Sequence, residues 1–121
     1  MDLTLQKNSS DKIIKNYENR EIYIDKDKYN FSIFVSKDFV IKWPISDINK
    51  IVIDDLSDVL KYKPEILIIG TGVNPILPRT EIITYLHNDN IGVEFMSTDA
   101  ACKTFNVLLQ EDRNVIAGLV V

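Results

Sequence analysis

The sequence predicts an α/β fold in which an N-terminal antiparallel β meander precedes a βαβαβ half. Three observations carry this. From Ile13 to Trp43, short β-branched or aromatic runs are separated by brief polar turns, the pattern of strands paired by tight connections. From Glu65 to Ile69 an unbroken apolar run follows Pro64 and stops at Gly70-Thr71-Gly72. It is too short for a typical helix and rich in isoleucine, so it reads as a strand buried on both faces. Beyond it, helical and strand patterns alternate to the C-terminus, which implies a parallel core with right-handed crossovers. The direction of the last strand is left open by this pattern.

Taken in order, Met1–Lys12 is polar and is expected to be a disordered tail. Ile13–Tyr17, Glu21–Ile24, Tyr29–Val35 and Phe39–Trp43 are the meander runs, divided by Glu18-Asn19-Arg20, Asp25-Lys26-Asp27-Lys28 and Ser36-Lys37-Asp38. Phe31, Ile33 and Val35 alternate with Ser32, Phe34 and Ser36, a period of two. Phe34 interrupts the polar side, so partial cover of the second face is expected. Trp43-Pro44 ends the meander because proline removes a ladder donor. Ile45–Ile53 is ambiguous and is compatible with a turn followed by a short strand. Asp54 and Asp55 suit caps of a short helix, Leu56–Lys61, that stops before Pro64.

After Gly72, Pro78 fits the first turn of a helix, Arg79–Asn90, with Ile82, Ile83 and Leu86 on one stripe. Gly92–Met96 is the second predicted buried strand. Ser97, Thr98 and Asp99 are all good caps for a penultimate helix, Thr98–Glu111. That helix is apolar around much of its girth: Ala101, Phe105 and Leu108 form a stripe flanked by Ala100, Cys102, Val107 and Leu109. Only Lys103, Asn106 and Gln110 make a polar strip, so burial on more than one side is expected. Asp112-Arg113-Asn114 turns into a last strand, Val115–Val121.

Composition narrows the function classes. At 121 residues the chain suits one domain with a sizeable core. A net charge of -4 and no basic patch argue against nucleic acid, whose phosphates require a basic stripe. One histidine and one cysteine cannot build a Cys/His zinc site, and the lone Cys102 fits a reducing compartment. No apolar stretch is long enough to span a bilayer, and Met1–Lys12 resembles neither a signal nor a transit peptide. No metal and no cofactor is expected.

Four groups of residues bear on chemistry. Backbone N–H groups at Gly70-Thr71-Gly72, with Arg79 and Thr98 nearby, are able to hold an anion; the plain alternative is a tight turn that lets strand and helix pack. No GxGxxG and no GxxxxGK[ST] is present. Cys102 near a helix start is activated only with a base, for which His87 is the sole histidine; otherwise it packs as a small hydrophobe. Glu65 sits at a strand start and suits a surface or capping role, whereas Glu94, if buried, needs a partner such as Asn106 or Thr104. The apolar surplus of the penultimate helix marks either a partner surface, at Ala100, Lys103, Asn106, Val107 and Gln110, or a face covered by the meander. No residue is assigned a catalytic role.

Pro64–Gly72, the Pro75/Pro78 pair, Gly92–Thr98 and Ala101–Leu108 together resemble the family of mitochondrial complex I assembly factor 3 and its uncharacterised bacterial and archaeal relatives. The resemblance spans roughly Ile13–Val120 and is strongest from Pro64 onward. It implies a three-layer single domain with a mixed central sheet and an extra antiparallel β layer. It also implies an auxiliary protein, since mitochondrial members bind another assembly factor and help build the membrane arm of NADH:ubiquinone oxidoreductase. This chain departs from the family at Phe105, where a tyrosine is usual after the threonine. Without a targeting extension it resembles a bacterial member, which gives the expectation of a cytoplasmic protein.

Two functional readings follow. The first is a non-enzymatic assembly-factor-like protein that binds a partner protein, an assembly factor or a respiratory-chain subunit, with self-association possible in principle. The second is a small-ligand binding protein or enzyme that uses the Gly70–Asn74 loop.

Overall fold

The structure, a computed structural model, describes residues 13–121. The expectation for Met1–Lys12 lies outside the described residues.

The meander forms, but it divides between two sheets. Strands β1 (Ile14–Glu18), β2 (Glu21–Ile24) and β3 (Asp27–Tyr29) make a three-stranded antiparallel sheet. Asn19 and Arg20 turn β1 into β2 with φ of 52° and 60°, the left-handed pair that matches the twist of a two-residue hairpin. The expected run Tyr29–Val35 breaks between β3 and β4 (Ile33–Val35), and β4 with β5 (Val40–Lys42) joins the second sheet. The reason is burial: Ile33, Phe34 and Val35 are all fully buried, so this strand needs cover on both faces.

The second sheet is mixed, in the order β5-β4-β8-β6-β7. Strand β6 (Ile66–Gly70) lies parallel to both β7 (Gly92–Met96) and β8 (Val115–Leu119), while β4 runs antiparallel to β8. The last strand therefore runs with β6. Ile66–Gly70 occupies an interior position, as its apolar run predicts. Gly92–Met96 does not: it is an edge strand with no fully buried residue and with Glu94 exposed. Its Val93 and Phe95 bury only one face, against the core under the short helices.

Between the sheets' strands, Ile45–Ile53 forms no strand. It holds a 3-10 turn, Ile48–Lys50, capped by the Asp47 carboxylate, which accepts from Asn49 N at 3.0 Å. A second 3-10 turn, Ile53–Leu56, leads directly into helix α1 (Ser57–Leu60). Asp55 lies inside that turn and reaches back to accept from Val52 N at 2.9 Å. Helix α2 (Thr80–Asn88) starts later than expected, because Arg79 is still extended, with ψ of 142°, and Pro78 precedes the cap rather than the first turn. Helix α3 (Thr98–Gln110) is capped by Ser97, whose hydroxyl accepts from Ala100 N.

The two faces of the mixed sheet bury separate cores. One face carries Phe34, Trp43, Leu67, Ile69 and Ile116 under α1, α2 and the 3-10 turns. The other carries Ile33, Val35, Ile68, Ala117 and Leu119 against Ala101, Cys102, Phe105 and Leu109 of α3. Ile14, Ile22 and Ile24 of the small sheet close over the same helix, so α3 lies between two sheets. This layering accounts for the wide apolar girth of its sequence.

Candidate functional site

The C-terminal ends of β6 and β8 meet the N-terminus of α3 in a compact joint. Gly70 lies so near the helix that a Cβ built on it would fall 2.9 Å from Thr98 Cα and 3.1 Å from Ala101 Cβ. Gly72 adopts a φ of +97°, a backbone state that L side chains rarely enter. Thr98 is fully buried, and its hydroxyl works in both directions: it accepts from Gly72 N at 2.8 Å and donates to Val120 O at 2.5 Å. Thr98 N donates to Gly72 O at 2.8 Å, and Val120 N donates to Gly70 O at 2.9 Å. Thr71 N donates to Met96 O at 2.8 Å, and its hydroxyl reaches Asn74 O at 2.7 Å and Met96 O at 3.1 Å.

Of the residues singled out as an anion site, Gly70, Thr71, Gly72 and Thr98 are thus brought together, and Arg79 stands exposed at the start of α2. The N–H groups of Thr71 and Gly72, which an anion requires, already serve internal acceptors. The geometry is that of a joint. Beyond it the loop to α2 exposes two apolar side chains, Val73 at 73% and Leu77 at 93%.

The five residues expected from the sequence to form a partner surface lie along α3, in different environments. Lys103 is exposed and pairs with Asp99 at 3.0 Å; Gln110 is exposed, and Val107 is 54% exposed. Ala100 is half-buried. Asn106 is not a free surface amide: it accepts from Ile14 N at 2.9 Å and donates to Ile14 O at 2.7 Å, pinning β1 to the helix. Neither Asn106 nor Thr104 partners Glu94; Thr104 instead lies 3.5 Å from the Met96 sulfur.

Cys102 and His87 sit on opposite faces of the mixed sheet, so the pair considered for nucleophilic chemistry does not form. Burial, with Asp99 adding and Lys103 opposing, pushes the Cys102 thiol up to about 12, the reverse of activation. Glu65 is exposed and clamps the turn before β8. Its carboxylate accepts from Asn114 N at 3.0 Å and from Arg113 Nε at 3.3 Å, and these bonds hold its pKa below the ordinary 4.5.

A cavity of about 280 Å³ opens at the far end of the sheet, between the β4–β5 turn and the α3–β8 turn. Phe39, Tyr62, Leu109, Arg113 and Ile116 are among its walls. Sequence reasoning missed it because its walls come from segments far apart in the chain. The one local signal is aromatic: Phe39 and Tyr62 punctuate polar turns and pack with ring centroids 4.9 Å apart. Among the described residues no group of three or more His, Cys, Asp or Glu is placed to hold a metal.

These features define an α/β scaffold: a mixed sheet with a helix clasped by a second sheet. The same architecture is found in a crystal structure from Bordetella parapertussis, at 27% identity and a TM-score of 0.86, covering 92% of this chain and 96% of that one. An outer membrane protein from Bartonella henselae is similar at 32% identity and a TM-score of 0.82, over 93% and 96% of the two chains.

The chain belongs to the family described as a protein of unknown function, DUF498/DUF598, which matches residues 14–120. Its relatives include a 13 kDa major membrane protein of Francisella tularensis, 35% identical over 95% of each chain. They also include NADH dehydrogenase [ubiquinone] 1 alpha subcomplex assembly factor 3 of Xenopus tropicalis, 28% identical over 88% of this chain and 60% of that protein. The chain therefore spans less than two thirds of the assembly factor's length. Among the described residues no helix is long and apolar enough to cross a membrane.

Proposed function

We propose that this protein is a non-enzymatic assembly factor, one domain that binds a partner protein in the cytoplasm while a respiratory complex is built. The observation that carries this reading is the similarity, over 88% of the chain, to a relative named as a complex I assembly factor. The outer face of α3 supports the reading. It holds Val107 exposed beside Lys103 and Gln110, while the helix's inner face and flank are locked by Phe105 and Asn106. A rigid helix face with an apolar residue inside a charged and polar rim supports this reading. Small-ligand binding at Gly70–Asn74 would instead require the N–H groups of Thr71 and Gly72 to leave their partners.

The test is recovery of partners from cell extract with the tagged protein, quantified by mass spectrometry. Respiratory-chain subunits or assembly factors are expected with the wild type and are lost in Val107→Asp with Lys103→Glu. That variant is expected to lose about 1 kcal/mol of stability, because the Asp99–Lys103 pair is replaced by like charges along the helix, and it remains folded. Recovery unaffected by these changes, or lost only on substitution of Arg79, sinks this choice of surface. Absence of any respiratory component sinks the reading itself.

A further inference from the structure

We propose that the outer edge of β7 (Gly92–Met96) is the seat of an extended segment of a partner protein, added as a sixth strand and carrying a lysine or arginine opposite Glu94. This deepens the partner-binding reading by naming the kind of segment bound, and it rests on that reading.

An unpaired sheet edge invites pairing, and proteins blunt such edges with short length, charge, proline or a bulge. Three of the four described edges are blunted. β5 has three residues, ends in Lys42 and is followed by Trp43-Pro44. β3 is equally short and begins Asp27-Lys28. β1 carries a register irregularity between Ile14 and Asn16 and is tied to Asn106. β7 carries a single charge, Glu94, and none of the other devices. It is five residues long, contains no proline or lysine, and pairs with β6 in unbroken register over its whole length.

The hydrogen-bond pattern says which groups are offered. Gly92 N donates to Glu65 O, and Met96 O accepts from Thr71 N, so Gly92, Glu94 and Met96 turn their backbone toward β6. In a parallel ladder the alternate residues turn away, which leaves Val93 and Phe95 with N–H and C=O directed outward. β6 is the only strand partner of β7 among the described residues. These two residues present the main-chain template that strand addition uses.

Charge selects the occupant. A second copy pairing antiparallel over the full length of β7 places Glu94 directly opposite its own counterpart, and like charges in that position destabilise a pair. A foreign strand with a basic residue there gains instead, and β-branched residues on either side of it lie against Val93 and Phe95. On the sheet face opposite Val93 and Phe95, Thr104 of α3 lies 3.5 Å from the Met96 sulfur.

The probe is a capped nonapeptide of alternating valine and threonine with lysine at its centre, compared with a twin carrying glutamate. Amide hydrogen exchange of the full chain is followed by NMR. In the free protein Val93 and Phe95 exchange fast while Glu94 and Met96 are protected. With the lysine peptide at millimolar concentration Val93 and Phe95 become protected, and the lysine peptide binds about fivefold more tightly than its twin, the factor a cross-strand charge pair supplies. Glu94→Lys reverses that preference. Val93→Pro, which breaks no bond to β6, abolishes the protection. Lack of protection at Val93 and Phe95, protection centred elsewhere, or self-association through β7 in sedimentation overturns the proposal. The peptide experiment makes no use of respiratory subunits, so it and the assembly reading fail separately.

Discussion

Replacing Thr98 by valine keeps the shape of a fully buried side chain while deleting a hydroxyl that serves two backbone groups, one buried and one part-buried. Gly72 N then lacks an acceptor and Val120 O lacks a donor. A buried group left unpaired costs about 1–3 kcal/mol and a part-buried one less, so the loss is expected to be about 2–3 kcal/mol. For a chain of this size each kcal/mol lowers Tm by about 3–5 °C, which puts the expected shift near 10 °C. Trp43 reports unfolding well, since it is buried, stacks on Phe34 at 4.6 Å and donates from Nε1 to Asp55 O. Urea titrations followed by its fluorescence give the loss, and hydrogen exchange at Gly72 locates it. Thr98→Ser retains the hydroxyl and is expected to lose only about 1 kcal/mol, the contribution of one methyl. If valine matches wild type within about 0.5 kcal/mol, or serine is as damaging as valine, the hydroxyl does not hold the joint.

Asn106→Ala removes both bonds to Ile14 and is expected to cost about 2 kcal/mol, with exchange rising at β1 and β2 while β6 stays protected. A uniform rise across both sheets contradicts this. Cys102 is expected to react with a thiol reagent roughly a hundredfold or more slowly in the folded protein than in urea, because burial disfavours the thiolate. Similar rates in the two states refute that. Glu65 has a depressed pKa, so its stabilisation is present above the unfolded value near 4.5 and is lost as pH falls through the folded value. The stability difference between wild type and Glu65→Gln is therefore expected at neutral pH and vanishes in acid; a difference that persists in acid is not due to the ionised carboxylate.

Local pattern was a good guide where one strand's own residues determine its burial. Glu21–Ile24 and the run ending at Ile69 are such cases, because β-branched composition and flanking turns suffice. Sheet membership was not legible, since it depends on which distant faces need cover. Tyr29–Val35 splits because Phe34 and Ile33 bury on opposite sides, and the sequence around them carries only a hint of this in the interruption of the polar alternation. Gly92–Met96 looked interior because Val93 and Phe95 are apolar, but one buried face is enough to demand that. Glu94 was the residue that distinguished an edge from a centre. At the candidate site, helix-cap chemistry brought Thr98 to notice, whereas its bond to Val120 closes a 22-residue separation that no local pattern reveals.

The joint also limits what substitution can repair. A methyl at position 70 meets Thr98 Oγ1 at 2.9 Å, and a rotation or deletion of that side chain would relieve such a contact. It also meets Thr98 Cα at 2.9 Å, which no change of side chain moves. Gly70→Ala must therefore push α3 away from β6 or bend the end of the strand, at an expected cost of about 1–3 kcal/mol. Adding Thr98→Ala, which deletes Oγ1 and leaves Cα in place, should give a double variant within about 0.5 kcal/mol of the sum of the two single changes. Rescue of Gly70→Ala by Thr98→Ala would mean that the contact lies in the Thr98 hydroxyl and that strand and helix have room to approach. Without rescue, the backbone itself sets the separation of β6 and α3.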